Sequence, residues 1–360
     1  MQEREKIRQL FERYRSGRCT PEELTRLHAW LNQYAKNEAQ GLDDLEESYN
    51  AEHAIKKTRW LRWFPYAAAV IIVTLVSVWY VGTDPAENLK PKIANLKPGD
   101  IAPGGNRATL TLADGRSIDL SEAESEIVVG GEHISYASGS EELVDLKDEE
   151  ISLLVLATPK GGTYQITLSD GTKVWLNAES TLKYPSRFVG EERVVEIEGE
   201  AYFAVTKDSN KPFKVHSRGQ QIEVLGTEFN ISAYTDEHDV KTTLVTGSVE
   251  LKVNASGERM ALVPSEQSVL SGDMITKQTV DVGPYIAWKD GHFNFDNTTL
   301  ADMMKQMERW YDVEVIFESG VPNEQFSGTM SRDVSLQTVL ELLHISGINY
   351  RIQGNDLIIE

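Results

Sequence analysis

The stretch from Trp63 to Thr83 contains no charged residue, and no other feature limits so strongly what this chain can fold into. Its core reads Phe64-Pro-Tyr-Ala-Ala-Ala-Val-Ile-Ile-Val-Thr-Leu-Val-Ser-Val-Trp-Tyr-Val81. At a rise of about 1.5 Å per residue, about 20 apolar residues span the ~30 Å hydrocarbon core of a bilayer. Trp63 and Tyr66 at one end and Trp79 and Tyr80 at the other suit the membrane–water interface. Pro65 falls in the first turn, where its missing N–H costs little. The stretch predicts a transmembrane helix over 63–83, too late and too long for a cleaved secretory signal. Lys56, Lys57, Arg59 and Arg62 precede it, whereas Asp84 and Glu87 follow it. The positive flank stays in the cytoplasm, so residues 1–62 are expected inside and 84–360 outside, with the lipid bilayer itself as a partner.

Charge is divided in the same way. Residues 1–62 hold 12 Lys and Arg against 11 Asp and Glu, a net of +1, so the whole of the net charge of −20 comes from the remainder, which carries −21. That acidity disfavours direct nucleic-acid binding. The single cysteine, Cys19, excludes an internal disulfide and a cysteine-rich metal site, and the seven histidines form no HxxxH pair. GxGxxG, phosphate-loop, HExxH and GxSxG patterns are all missing. The sequence predicts neither an enzyme, nor a cofactor, nor a metal.

The first 62 residues read as a small helical arm. Ile7, Leu10, Phe11 and Tyr14 recur at helical spacing, and Ser16-Gly17 breaks the run. Thr20-Pro21-Glu22-Glu23 is a capping box, and the helix it opens carries Leu24, Leu27, Leu31 and Tyr34 on one stripe, with Trp30 beside them. Helices this short are marginal alone, so the arm packs as a small bundle or folds on a partner. Phe11, Tyr14, Trp30 and Tyr34 are more aromatic surface than a tail needs, and Phe11, Tyr14, Leu27, Trp30 and Leu31 are the candidate contact residues.

Residues 84–100 read as a linker, with Pro85, Pro91, Pro98 and Gly99. A repeat follows. Pro103-Gly-Gly105 with Leu110-Thr-Leu-Ala-Asp-Gly-Arg-Ser-Ile-Asp-Leu120 returns 56 residues later as Pro159-Lys-Gly161 with Ile166-Thr-Leu-Ser-Asp-Gly-Thr-Lys-Val-Trp-Leu176. Each copy predicts two strands around Asp-Gly, and stacked hairpins suggest a sandwich or jelly-roll-like body. Further strands are predicted at Val194–Ile197, Tyr202–Thr206, Phe213–His216, Ile222–Val224, Asn230–Tyr234, Lys241–Val245 and Val249–Val253, punctuated by Gly199, Gly226, Gly247 and Gly257. The β-rich domain is placed over 101–287. From 288 to 360 the order becomes β-α-β-β-α-β-β, an α+β module with helices over Leu300–Tyr311 and Ser335–Ile345 and a final hairpin around Gly354-Asn355. The whole is multi-domain: helical arm, membrane helix, all-β domain and C-terminal α+β domain.

One spot invites chemistry. At Gly226-Thr227 a threonine hydroxyl beside a strained peptide can attack it and shift the acyl group from N to O, cleaving the chain. The plainer reading is a tight turn that needs glycine.

Several runs resemble the FecR-type anti-sigma factors. They are Thr158-Pro-Lys-Gly-Gly-Thr-Tyr-Gln-Ile-Thr-Leu-Ser-Asp-Gly-Thr-Lys-Val-Trp-Leu-Asn177, Ser180-Thr-Leu-Lys-Tyr-Pro185, Gly199-Glu-Ala-Tyr-Phe-Ala-Val205, Gly226-Thr-Glu-Phe-Asn230 and Gly247-Ser-Val249. Phe293-x-Phe-x-Asn-x-x-Leu300 with Arg309-Trp-Tyr311 is similar to the family's C-terminal module, itself similar to the short N-terminal signalling fold of secretins and TonB-dependent receptors. The resemblance implies an inner-membrane protein whose arm holds an extracytoplasmic-function sigma factor. Its periplasmic part then reads the signalling domain of a TonB-dependent outer-membrane receptor. Strand addition to the module is the expected outer contact, with Ile348, Tyr350, Ile352, Leu357 and Ile359 as its residues. A membrane-anchored glycan- or cell-wall-binding protein is the alternative, with Trp175 as its aromatic platform.

Overall fold

A computed structural model of the 360-residue chain describes residues 100–360 apart from 131 and 147–150. The arm with Phe11, Tyr14, Leu27, Trp30 and Leu31, the stretch Trp63–Thr83 and the linker up to 99 lie outside the described residues. Among the described residues no helix is long and apolar enough to cross a membrane. What is described is rich in strands, with few helices.

Nineteen strands, from Gly105–Asn106 to Met274–Thr279, form one hydrogen-bonded network folded into two layers. The first layer runs Ser117–Asp119, Thr109–Thr111, Leu153–Thr158, Ser180–Pro185, the first half of Arg193–Ala204, Phe213–Ser217, Gln220–Val224, Val249–Val253, Arg259–Leu262. The second runs Glu142–Asp145, His133–Tyr136, Glu126–Val129, Gly162–Thr167, Lys173–Leu176, the second half of Arg193–Ala204, Glu228–Ala233, Asp239–Thr246, Glu266–Ser271, Met274–Thr279. Alternation explains the layering. Val249, Leu251 and Val253 are buried while Glu250 and Lys252 between them are exposed, as a half-buried strand requires. Inward residues of both layers, among them Leu110, Ile127, Leu156, Ile166, Ile197, Phe203, Phe229 and Leu251, belong to one apolar cluster.

Arg193–Ala204 departs from expectation. The sequence predicts two strands separated at Gly199, but a single 12-residue strand passes from one layer into the other. Gly199 bends it with φ of 88°, and a Cβ there would lie 2.7 Å from the backbone oxygen of Glu179 and from the Cα of Ser180. Only glycine meets both demands.

Both copies of the repeat are hairpins. Leu110 pairs with Ile118, and Ile166 with Val174. Each turn is a three-residue loop, closed by Gly115 N–H on Leu112 and by Gly171 N–H on Leu168, with the glycine at positive φ. Their aspartates differ in setting. Asp114 bonds exposed Arg116. Asp170 accepts from Thr172 and, at 2.6 Å, from Arg193, which is 2% exposed, lies over the Phe213 ring and also donates to the Lys211 and Thr206 carbonyls.

A short helix, Gly283–Ile286, and the 3-10 turn Ala287–Asp290 lead to the C-terminal module. There His292–Thr299 pairs with Gln325–Ser331, while Glu314–Phe317, Asp356–Ile359 and Tyr350–Gln353 form a second small sheet in that order. The helices are Leu300–Tyr311 and Leu336–Ile345. Their stripes, Leu300, Met303, Met304, Met307 and Leu336, Val339, Leu340, Leu343, build the module's own apolar cluster with Phe293, Phe295, Leu357 and Ile359.

Gly199→Ala should lower the free energy of unfolding by about 2–4 kcal/mol, since it adds both backbone strain and a backbone clash. Urea denaturation measures this, and a loss below about 0.5 kcal/mol contradicts the role given to Gly199.

Candidate functional site

The polar chemistry of the described residues gathers where the β body meets the module. Three strands of the body send one polar side chain each to the same point. Glu200 follows the bend at Gly199, Asn177 ends the strand Lys173–Leu176, and Asn230 lies in Glu228–Ala233. Asn177 donates to one Glu200 carboxylate oxygen at 2.7 Å and Asn230 donates to the other at 2.9 Å. Each amide oxygen reaches onward. Asn230 accepts from the Trp288 indole N–H at 3.1 Å, and Asn177 accepts from Arg332 Nη1 at 3.0 Å. The result is a chain Trp288–Asn230–Glu200–Asn177–Arg332 that begins on the connection, crosses the body and ends on the module.

Arg332 is 3% exposed. Its guanidinium lies 3.9 Å from the Trp310 ring centroid and 5.0 Å from that of Phe293. Burial lowers its pKa to about 10, with the Glu200 carboxylate opposing the change. Burial likewise raises the pKa of Glu200, against the two amide bonds that favour its ionised form. Arg332 is buried and Glu200 half-buried at the edge of the cleft, and the two opposite charges are joined through Asn177.

A second contact lies beside the first. Arg309, on helix Leu300–Tyr311, donates bidentately from Nη2 to Asp236 at 2.6 and 2.8 Å and from Nη1 to Glu237 at 2.8 Å, with its guanidinium 3.7 Å from the Tyr234 ring centroid. Lys160 pairs with Glu308 at 2.9 Å. Gly161 donates its N–H to the Arg309 carbonyl at 2.6 Å. The Trp310 ring lies so close that a Cβ on Gly104 would approach it to 2.8 Å. A cleft of about 510 Å³ opens between the body and the module, lined among others by Asn230, Glu237, Trp288, Asn294 and Lys305.

The arrangement binds two units together and offers no catalytic relay. A Ser–His–Asp grouping among the described residues, Ser271, His238 and Asp239, is at the surface, and both partners meet the same nitrogen, Nδ1. A relay needs the two ring nitrogens to serve different partners. Among the described residues no group of three His, Cys, Asp or Glu is disposed to hold a metal ion.

Gly226 has φ of 145°, and its missing Cβ leaves room for Lys207. The Thr227 hydroxyl, buried, donates to the Ser248 carbonyl at 2.9 Å. That bond joins Gly226-Thr227 to Gly247-Ser248, as the turn reading describes. Ile348, Leu357 and Ile359 are core residues of the module, and Tyr350 and Ile352 pack against that core. Asp356–Ile359 is the middle strand of its sheet, paired on both sides. The expectation that Ile348, Leu357 and Ile359 offer side chains to a receptor is therefore corrected: they hold the module together, and Tyr350–Gln353 and Glu314–Phe317 are the outer strands. Trp175 packs edge-on against Tyr202, with the Lys289 ammonium over both rings, so it is not a bare platform for a sugar.

The FecR protein model matches residues 155–250 and the model described as FecR, C-terminal matches residues 292–359. Two solved structures of candidate anti-sigma factors from Parabacteroides distasonis ATCC 8503 are similar, at 32% and 33% identity, each with a TM-score of 0.53, covering 57% of this chain and 98% of the solved one. The chain belongs to the FecR family. Among curated proteins no match is found. The FecR region contains Asn177, Glu200 and Asn230, and the FecR C-terminal region contains Arg309, Trp310 and Arg332. Asn230, Glu200 and Asn177 therefore lie within the first FecR match and Arg332 within the second, while Trp288 falls between them. Trp288 and Arg332 are not marked by any pattern in the sequence. Arg332 stands between Ser331 and Asp333, as a surface residue would, and Trp288 lies in an irregular connection.

Arg332→Ala should cost about 2–4 kcal/mol in urea denaturation, because it removes the bond to Asn177, the stacking on Trp310 and the cation that opposes Glu200. For Glu200, the folded chain holds a proton that the unfolded chain releases above the ordinary value of 4.5. The stability this supplies is complete below 4.5 and is lost as pH rises through the folded value. Unfolding free energy should therefore fall as pH rises from 4.5, and Glu200→Gln, although less stable because its NH2 opposes an asparagine NH2, should lack that slope.

Proposed function

We propose that this FecR-family chain is an anti-sigma factor, a regulator rather than an enzyme, which carries an outside signal to transcription. The observation that carries the reading is the membership itself, joined to the similarity over 98% of a candidate anti-sigma factor. Residues 1–62 are the sigma-binding arm, with Phe11, Tyr14, Leu27, Trp30 and Leu31 as its apolar anchor, and 63–83 cross the inner membrane. The described residues stand in the periplasm, where the module receives the signalling domain of a TonB-dependent receptor. The uncharged stretch and its basic flank support this orientation. The outer strands Tyr350–Gln353 and Glu314–Phe317 suit strand addition, in which main-chain bonds give affinity.

Residues 1–62 should co-purify with the extracytoplasmic-function sigma factor encoded beside this chain. In the full chain, Trp30→Ala with Leu31→Ala should raise a sigma-dependent reporter at least about tenfold without signal, as expected when two anchor residues of an interface are truncated. A full-length double variant that accumulates normally and still represses would refute the anchor. Failure of 1–62 to bind any such sigma factor would refute the reading as a whole.

A further inference from the structure

Residues 100–106, where the described chain begins, do not run free to the body. The Asp100 carboxylate accepts the N–H of Gln337 at 3.0 Å, and the Ile101 carbonyl accepts the N–H of Leu336 at 3.0 Å. Ser335, the residue placed to cap that helix, makes no side-chain cap bond there. Asp100 therefore caps helix Leu336–Ile345 from 237 residues away in sequence. Ile101 packs against the module's core. Five residues on, the chain belongs to the body. Gly105 donates to the Gly161 carbonyl at 2.9 Å, and Gly105–Asn106 pairs in parallel with Gly162 and Thr163. Arg107 adds a side-chain bond to the same Gly161 carbonyl at 2.9 Å. Between the two ends Gly104 is pressed against the Trp310 ring and the Gly161 carbonyl. Strap, body turn and module helix thus meet at Gly104, Gly161 and Trp310, and Gly161 also holds the Arg309 carbonyl.

We propose that Asp100–Asn106 is a latch. Its upstream end is fixed to the module and its downstream end to the body, so the module cannot move off the body without pulling on the chain that leads to residue 99 and beyond. Separation of Trp310 from Gly104 and Gly161 leaves Asp100 and Ile101 on helix Leu336–Ile345 and draws the upstream chain with them. A partner acting on the module thereby acts on the membrane side of the chain. This rests on the anti-sigma reading and deepens it, since it names the connection by which an outer contact reaches the arm.

The test uses the full chain in detergent for amide hydrogen exchange and in cells for the sigma-dependent reporter. Asp100→Ala should speed exchange at Leu336 and Gln337 at least about fivefold, as loss of a cap does, and should raise the reporter without signal. Asp100→Asn retains the acceptor and should behave as the parent chain. Gly104→Val should wedge Trp310 away, speed exchange at Gly105 and Gly161, and raise the reporter as well. Faster exchange with the reporter unchanged overturns the latch while leaving the anti-sigma reading intact, because sigma binding by residues 1–62 is measured separately. Unchanged exchange in both Asp100→Ala and Gly104→Val overturns the latch directly. If sigma binding by 1–62 fails, the function falls, whereas the exchange data still report on the strap.

Discussion

A buried cation and a half-buried carboxylate set the terms for this molecule. Arg332 belongs to the module and Glu200 to the body, and two asparagines transmit between them and outward to Trp288. Burying Arg332 without an opposing anion is costly, so Glu200 and the two asparagines favour this posture of the two units. The apolar clusters of body and module are separate. Each unit therefore keeps its own interior, while their mutual orientation rests on directional polar contacts and on stacking of Arg309 of the module against Tyr234 of the body. Directional contacts of this kind select one geometry and tolerate little sliding, which is what a transmitting joint needs.

The duplicated hairpin shows how similar local sequences acquire different duties. Both copies turn on a three-residue loop with glycine at positive φ, and both put an aspartate at the same place. In the first copy the carboxylate stays at the surface with Arg116, where an ion pair contributes little. In the second it receives Arg193 from the strand that links the layers. The turn is encoded locally in both, whereas the partner of the aspartate is local in the first copy and a tertiary neighbour in the second.

Much of the fold was legible in the residues. Alternation located the strands, Asp-Gly located the two hairpins, and helical stripes located Leu300–Tyr311 and the helix ending at Ile345, because each signal is local and periodic. Gly199 misled, since glycine marks a turn and a bend within a strand equally well. The final hairpin was found, yet its apolar residues were read as a contact surface. Ile348, Leu357 and Ile359 face inward, and pattern alone does not say which face of a short strand is covered. The joint was only half visible. Asn177, Glu200, Asn230 and Arg309 stood in recognisable runs, but nothing in the sequence said that they converge. Arg332, Trp288 and Asp100 escaped because their roles exist only between elements distant along the chain.

The strand Arg193–Ala204 is a member of both layers, paired in one half with Ser180–Pro185 and Phe213–Ser217 and in the other with Lys173–Leu176 and Glu228–Ala233. Neither layer can come apart while the other persists, because the backbone they would have to part along is common property. The shared strand thus couples the unfolding of the two layers. A protease therefore finds no seam between the two layers along which to open the body.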